Sequence, residues 1–240
     1  MKWKVLKGRA CSFSGRIPIM MIKLCFQAFL LLFSLAIAAQ EEMSQEEQNL
    51  GAAENLASLL RDMQTLSAEV NVLTLDQDGR EIQESESRLI MQKPDHFSWE
   101  TISPYPELMV TDGNRIWRFE YDLEQITIEP FSDDVGRTPV LLLNGNADDI
   151  AETYFVAAAA TDSGSRQRFI LTPRVTDSLF TRLSLTFANN LLEEMQFEDS
   201  LGQKTSLSFA NLEINRDIDA SVFTVELSDD MEIIDNTGEL

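Results

Sequence analysis

The chain has 240 residues, 44% of them hydrophobic, and carries 40 acidic against 19 basic side chains, for a formal charge of −21. With no basic patch to neutralise phosphates, nucleic-acid binding is excluded, and adsorption to an anionic lipid surface is disfavoured for the same reason. One histidine, and two cysteines that both fall within the first 25 residues, leave no imidazole or thiolate cluster for a metal site.

Residues 1–38 carry six basic side chains (Lys2, Lys4, Lys7, Arg9, Arg16 and Lys23) and no acidic one. An apolar run from Leu24 to Ile37 follows and ends in Ala36-Ile37-Ala38. A basic start, a short apolar centre and a small-residue exit read as a secretory signal peptide, cleaved after Ala38. The competing reading, a membrane anchor, needs about 20 apolar residues and the run is shorter. Met20 or Met21 is an alternative start. Cys25 follows Lys23-Leu24, not small residues, which argues against a lipid-attached cysteine. Cleavage removes both Cys11 and Cys25. Residues 39–240 are then expected to form a single exported domain, long enough to build its core without disulfides.

Ser44 with Glu47 three residues on is a capping-box pattern. Leu50, Ala53, Leu56, Leu60 and Met63 recur at helical spacing and predict an amphipathic helix. From Leu66 the period changes to two: Leu66, Ala68, Val70 and Val72 mark a strand, Asp76-Gln77-Asp78-Gly79 a turn, and Glu81 to Lys93 the returning strand. Two aromatic strands follow, within Lys93-Pro94-Asp95-His96-Phe97-Ser98-Trp99-Glu100 and after Thr111-Asp112-Gly113-Asn114. Between Phe131 and Thr153 the alternation breaks; Pro139 ahead of Leu141, Leu142 and Leu143 suits a first helical position, and Ala147 to Thr153 suggests another short helix. Further turns at Asp162-Ser163-Gly164, Asn189-Asn190 and Leu201-Gly202 punctuate clean alternation. There Leu183, Leu185 and Phe187, then Met195 and Phe197, then Leu207 and Phe209 each share a face. The acidic tail from Asp229 is expected to be loosely held.

About ten strands with one apolar face, and few helices to cover it, must curl, stack or keep apolar surface for a ligand. The expected fold is mainly β: an unclosed antiparallel β-barrel covered by helices that act as a lid. Phe97 and Trp99 share one strand face, and Trp117 and Phe119 share another. Ordinary core packing accounts for any one of them; several around a thinly covered hollow suit a lining, with Met109 adding an adaptable surface. Lys93, at a strand end beside aromatics, is either a solvated lysine or a donor reaching across the mouth to a lid carbonyl or a ligand.

Signs of catalysis are missing. His96 is the one histidine, no G-x-S-x-G or phosphate-binding G-x-x-x-x-G-K-[ST] occurs in residues 39–240, and acidic pairs such as Asp133-Asp134 read as solvated face. No enzyme activity, cofactor or metal is expected.

Taken in order, several segments resemble the outer-membrane lipoprotein carrier proteins, the LolA family. They are Met63-Gln64-Thr65-Leu66-Ser67-Ala68, Lys93-Pro94 to Trp99, Asp112-Gly113 with Ile116-Trp117, and Leu123-Glu124-Gln125. Thr138-Pro139 to Leu143, Phe169-Ile170-Leu171-Thr172-Pro173 and Met195-Gln196-Phe197-Glu198-Asp199 complete the set. The resemblance implies a monomeric periplasmic chaperone. It would take acylated lipoproteins from an inner-membrane ABC transporter complex and pass them to an outer-membrane lipoprotein receptor. It further implies that Phe97 and Trp99 line the acyl cavity, which the strand spacing extends to Met109, Trp117 and Phe119, that Leu56, Leu60, Met63, Leu141, Leu142 and Leu143 form the lid, and that Lys93 is the latch. The family most often has arginine at the latch, so lysine keeps the charge but loses the planar fork of donors. Ser85 and Ser87 stand where small, glycine-like positions are common. Two rival readings are a lipid- or lipoprotein-sensing module of the same architecture and an exported hydrolase built on His96.

Overall fold

Asp76 sets the first hairpin. Its carboxylate accepts hydrogen bonds from the N–H groups of Asp78 and Arg80 at 2.9 Å each, and Gly79 takes a φ of 81° that a side chain would resist. This turn returns β1 (Thr65–Leu75) as β2 (Glu81–Gln92). The computed structural model describes residues 49–131, 141–144, 149–162, 164–175, 178–227 and 230–238. All of them lie in one unit, Glu47–Leu240. The expected leader and the Ser44–Glu47 cap lie outside the described residues, as does most of the segment around Pro139.

The chain is helical over residues 49–62 (α1) ahead of the hairpin. After it come β3 (His96–Ser103), β4 (Glu107–Asp112), β5 (Arg115–Glu120) and β6 (Gln125–Pro130). Two single-turn helices, α2 (Leu141–Asn144) and α3 (Ile150–Thr153), interrupt the sheet at the place where alternation fails. The sheet resumes with β7 (Tyr154–Ala159), β8 (Arg166–Pro173), β9 (Phe180–Ala188), β10 (Leu191–Asp199) and β11 (Lys204–Ile214). A 3₁₀ turn, Ala220–Phe223, and β12 (Glu232–Asp235) finish the fold.

The twelve strands form one sheet in the order β12-β6-β5-β4-β3-β2-β1-β11-β10-β9-β8-β7, so β12 and β7 are its two edges and the barrel is unclosed. Every pairing is antiparallel except the last, β12 on β6. Among the described strands that parallel pair is the one departure from the expected antiparallel pattern, and it ties part of the acidic tail, expected to be loosely held, to the sheet. Ile233 and Ile234 give the tail enough β character to pair, and its register sets Ile233 against Ile126.

Two apolar clusters result. The larger lies under the helices and draws on α1, α2, α3 and the facing side of β1–β3 and β7–β11. Leu183, Leu185, Phe187 and Met195 are buried there, as their alternation predicts. The smaller joins Phe119, Ile126 and Ile128, with Leu108, Trp117, Val225 and Met231 packed against it. Leu50 stands apart from the expected helical stripe and is 58% exposed, while Ala52 and Ala57 are buried instead.

Candidate functional site beneath the helices

The register between strands decides which predicted residues meet. Directly opposed residues in an antiparallel pair project to the same face of the sheet. Leu89 opposes Trp99, Trp99 opposes Met109, and Met109 opposes Arg118. One row on the helix-covered face therefore runs Leu89-Trp99-Met109-Arg118, turning from apolar to charged as it nears the β6 side. Phe97 opposes Met91 on the same face and is buried at 2% exposure. Phe97, Trp99 and Met109 are brought together, as expected.

Trp117 and Phe119 are not. They oppose Val110 and Leu108, which belong to the face reached by Ser98 and Glu100. Both pack into the smaller cluster on the opposite side of the sheet. Expecting them in the same lining is corrected by the register: period two states which residues of one strand share a face, not which face that is. Trp117 instead borders a cavity of about 570 Å³ together with Asp112, Asn114, Arg115, Pro130 and Thr237. None of these lining residues comes from the lid.

The residues expected to form a lid belong to two helices. Leu56, Leu60 and Met63 of α1 and Leu142 and Leu143 of α2 are all buried in the larger cluster. Leu141 begins α2. Leu56, Leu60, Leu143 and the β9 residue Phe187 expose no surface, so the helices' own side chains occupy the apolar face in this arrangement. Each fully buried side chain of this size contributes roughly 1.5–3 kcal/mol, which only an equally apolar substitute can replace.

Polar contacts also fasten these helices. The Lys93 ammonium donates to the Leu60 carbonyl at 2.7 Å. That carbonyl lies in the last turn of α1, where it also accepts from the Met63 N–H at 3.2 Å and the helix dipole favours a cation. Burial holds the Lys93 ammonium below its usual pKa range. The Lys93 N–H also donates to Gln64 at 2.9 Å.

Three further contacts escape the sequence reading. Asn144 is 5% exposed at the end of α2, and its amide oxygen, in the orientation that satisfies both ends of the group, accepts from the N–H groups of Asp95 and His96 at 3.2 Å each. Asn215 accepts from the Gln64 N–H and donates to the Asp62 carbonyl, both at 2.8 Å, fixing the end of α1 beside β1. Asn55 donates to Gln167 of β8 at 2.8 Å on the exposed side. The turn at 93–96 thus holds both α1 and α2. No local spacing marks such long-range amide contacts, although Asn144 closing an apolar helix is a signal in hindsight.

His96 is engaged locally: its Nδ1 lies 2.7 Å from the Pro94 carbonyl, and its ring meets Phe223 edge-on at 5.5 Å. Among the described residues no group of three or more His, Cys, Asp or Glu side chains is placed to hold a metal ion. None of the described helices is long and apolar enough to cross a membrane.

Residues 61–226 match the family model described as "Outer membrane lipoprotein carrier protein LolA". An outer-membrane lipoprotein carrier protein of Chromohalobacter salexigens is 39% identical over 207 residues, covering 86% of this chain and 98% of that protein. Its counterpart in Pseudomonas aeruginosa is 32% identical over 203 residues, covering 85% and 96%. That of Hahella chejuensis is 35% identical over 204 residues, covering 85% and 97%.

Proposed function

Because the chain belongs to the LolA family of outer-membrane lipoprotein carrier proteins, we propose that it is a periplasmic chaperone that shelters the acyl chains of lipoproteins on their way to the outer membrane. Members of this family are carriers, not enzymes. The observation that carries the reading is an apolar sheet face covered by helices whose buried leucines rest on it.

Energy explains why such a cover suits the task. Some 45 methylenes of a triacylated cargo, at about 0.8 kcal/mol each, resist water by on the order of 35 kcal/mol. The few leucines and the methionine of α1 and α2 bury far less. Acyl chains therefore outcompete the lid for the sheet face, and the lid reoccupies it when the cargo leaves. Phe97, Trp99 and Met109 line this face in the proposal, and Leu56, Leu60, Met63, Leu142 and Leu143 are the displaced cover. Lys93 is the latch, with Asn144 as its companion on α2. Trp117 and Phe119 are left out, since they belong to the other face.

No nucleotide loop is present in residues 39–240, so direction comes from the partners: an inner-membrane ABC transporter complex loads the monomeric carrier and an outer-membrane receptor of higher affinity unloads it. Without the six basic side chains of residues 1–38, 13 basic (19 − 6) against 40 acidic side chains give a formal charge of −27, which keeps the loaded carrier off anionic lipid and steers it onto basic partner surfaces.

Incubating the purified protein with inner-membrane vesicles that hold a labelled lipoprotein and the transporter tests this. Release of a soluble lipoprotein–carrier complex on adding ATP is expected. Failure to release any acylated lipoprotein, with the protein folded and the transporter active, would end the reading.

A further inference from the structure

Along β2 the helix-covered face changes character. Met91 and Leu89 are 1% exposed, Ser87 is 2% exposed, Ser85 is 8% exposed, and Gln83 and Glu81 are exposed to solvent. Across the sheet Ser87 lies between Val70, which is buried on β1, and the half-buried Thr101 of β3, while Trp99 opposes Leu89. The face thus runs from hydrocarbon through buried hydroxyls to water.

Within that band, the Ser87 hydroxyl has no hydrogen-bond partner among the described residues. A buried hydroxyl left unpaired is destabilising, and native proteins pair nearly all such groups. Alanine or glycine would fill the same small space without that penalty. A serine retained at the inner edge of an apolar face is explained by a partner that arrives with the ligand.

We infer that Ser87 is a binding residue for the acyl carbonyl of the cargo. Its hydroxyl donates a hydrogen bond to the carbonyl oxygen by which a fatty chain is joined to the lipoprotein. This rests on the carrier reading and adds a polar recognition element to an otherwise greasy site. The geometry suits it. Chains lie against Phe97, Trp99, Leu89 and Met91, the carbonyl falls at the serine band, and the protein moiety of the cargo continues towards the exposed start of β2. The carbonyl can belong to a glyceryl ester or to the amide of an N-acylated amino terminus, since both offer the same acceptor.

Three synthetic lipopeptides with chains of equal length separate these sources: a diacylglyceryl ester with a free amine, its dialkyl ether, and the dialkyl ether bearing an N-acyl chain. Binding of each is measured to the wild type and to Ser87→Ala. The variant is expected to bind the ester, the N-acyl ether, or both about three- to tenfold more weakly than the wild type, the range of one hydrogen bond. Loss on the ester alone assigns the ester carbonyl, and loss on the N-acyl ether alone assigns the amide. The plain ether is expected to bind both proteins equally. Ser87→Thr, which keeps the hydroxyl, is expected to retain the discrimination that alanine loses. Equal affinities of wild type and Ser87→Ala for all three probes, or an equal loss on all three, would overturn the assignment of Ser87 while leaving the carrier reading intact. Wild-type protein that binds none of the three would overturn the carrier reading itself.

Discussion

The molecule covers two apolar faces in two different ways. Over the smaller cluster, the segment after β11 is built into the sheet. β12 pairs with β6 through four residues, Glu232 N–H donates to the Glu124 carbonyl at 2.8 Å, and Asn236 N–H donates to the Ile128 carbonyl at 2.8 Å. Asp219 also fixes the 3₁₀ turn by accepting from the Ser221 N–H at 2.9 Å. Over the larger cluster, α1 and α2 bury leucines on the sheet and, among the described residues, are fastened to it by side chains such as Lys93, Asn144, Asn215 and Asn55, whereas α3 runs directly into β7 and its Thr153 carbonyl accepts from the Arg174 N–H at 3.0 Å. A ladder-bonded cover opens only with the sheet. In the carrier proposal, a side-chain-fastened cover exchanges apolar contacts for those of a guest and closes again. The first is a fixed cap and the second is fit to be a lid.

The largest effect separates these covers by where lost packing is felt. Ile126→Ala, beneath the cap, is expected to lower global stability by about 2–5 kcal/mol in urea unfolding. Leu143→Ala removes a comparable side chain from the lid but is expected to cost less globally, appearing instead as faster amide exchange in α2. Equal global losses with unchanged exchange in α2 would erase the distinction.

A smaller effect concerns the latch. Lys93→Met keeps the aliphatic stem and deletes a charged donor, which is expected to favour the open lid by about 1.5 kcal/mol, roughly tenfold. Lys93→Arg is expected to restore closure, because guanidinium has donors to spare for the Leu60 carbonyl. A fluorophore on α1 reports both; a methionine variant that opens no more than the wild type would remove Lys93 from the latch.

The smallest effect is a pH dependence. Burial lowers the Lys93 pKa from 10.5 when the lid is closed, whereas opening returns the ammonium to water. Between the lowered value and 10.5 the open form binds more protons than the closed form. Closure is therefore expected to strengthen as pH rises through that window and to level off above it. Below the lowered value both forms are charged and closure does not vary with Lys93. The same fluorophore, compared between wild type and Lys93→Met, isolates the contribution; closure that weakens with pH only when Lys93 is present would reverse the sign.

Much of the sheet was legible because its signal is local. The change from helical spacing at Met63 to alternation at Leu66, the Asp76–Gly79 turn and the alternating run from Leu183 to Phe187 each sit within one short window. The two short helices were marked by the failure of that alternation. What a window cannot hold is register. Trp117 and Phe119 share a face with each other, yet only pairing through Val110 and Leu108 shows that this face is turned from Phe97 and Trp99. The tail was misjudged for a related reason. Its acidity suggests solvation, while the exposed edge of β6 that recruits Ile233 and Ile234 exists only once the sheet has formed. Of the candidate site, the buried stripe Leu56, Leu60 and Met63 was readable from helical spacing, and Lys93 was singled out with a helix carbonyl as one of its alternatives, though not which carbonyl. Asn144, Asn215 and Asn55 were not, because an asparagine that reaches across the fold leaves no periodic trace.

Distances measured by pulsed electron paramagnetic resonance test most directly whether the helices lift to admit a guest. Spin labels go on introduced cysteines, since residues 39–240 contain none. One pair joins exposed Glu54 of α1 to Glu86 of β2, and a control pair joins Glu232 of β12 to the same Glu86. On loading with an acylated lipoprotein, the Glu54 pair is expected to lengthen while the Glu232 pair stays fixed. Stoichiometric binding of the lipoprotein with the Glu54 distance unchanged would contradict the lid.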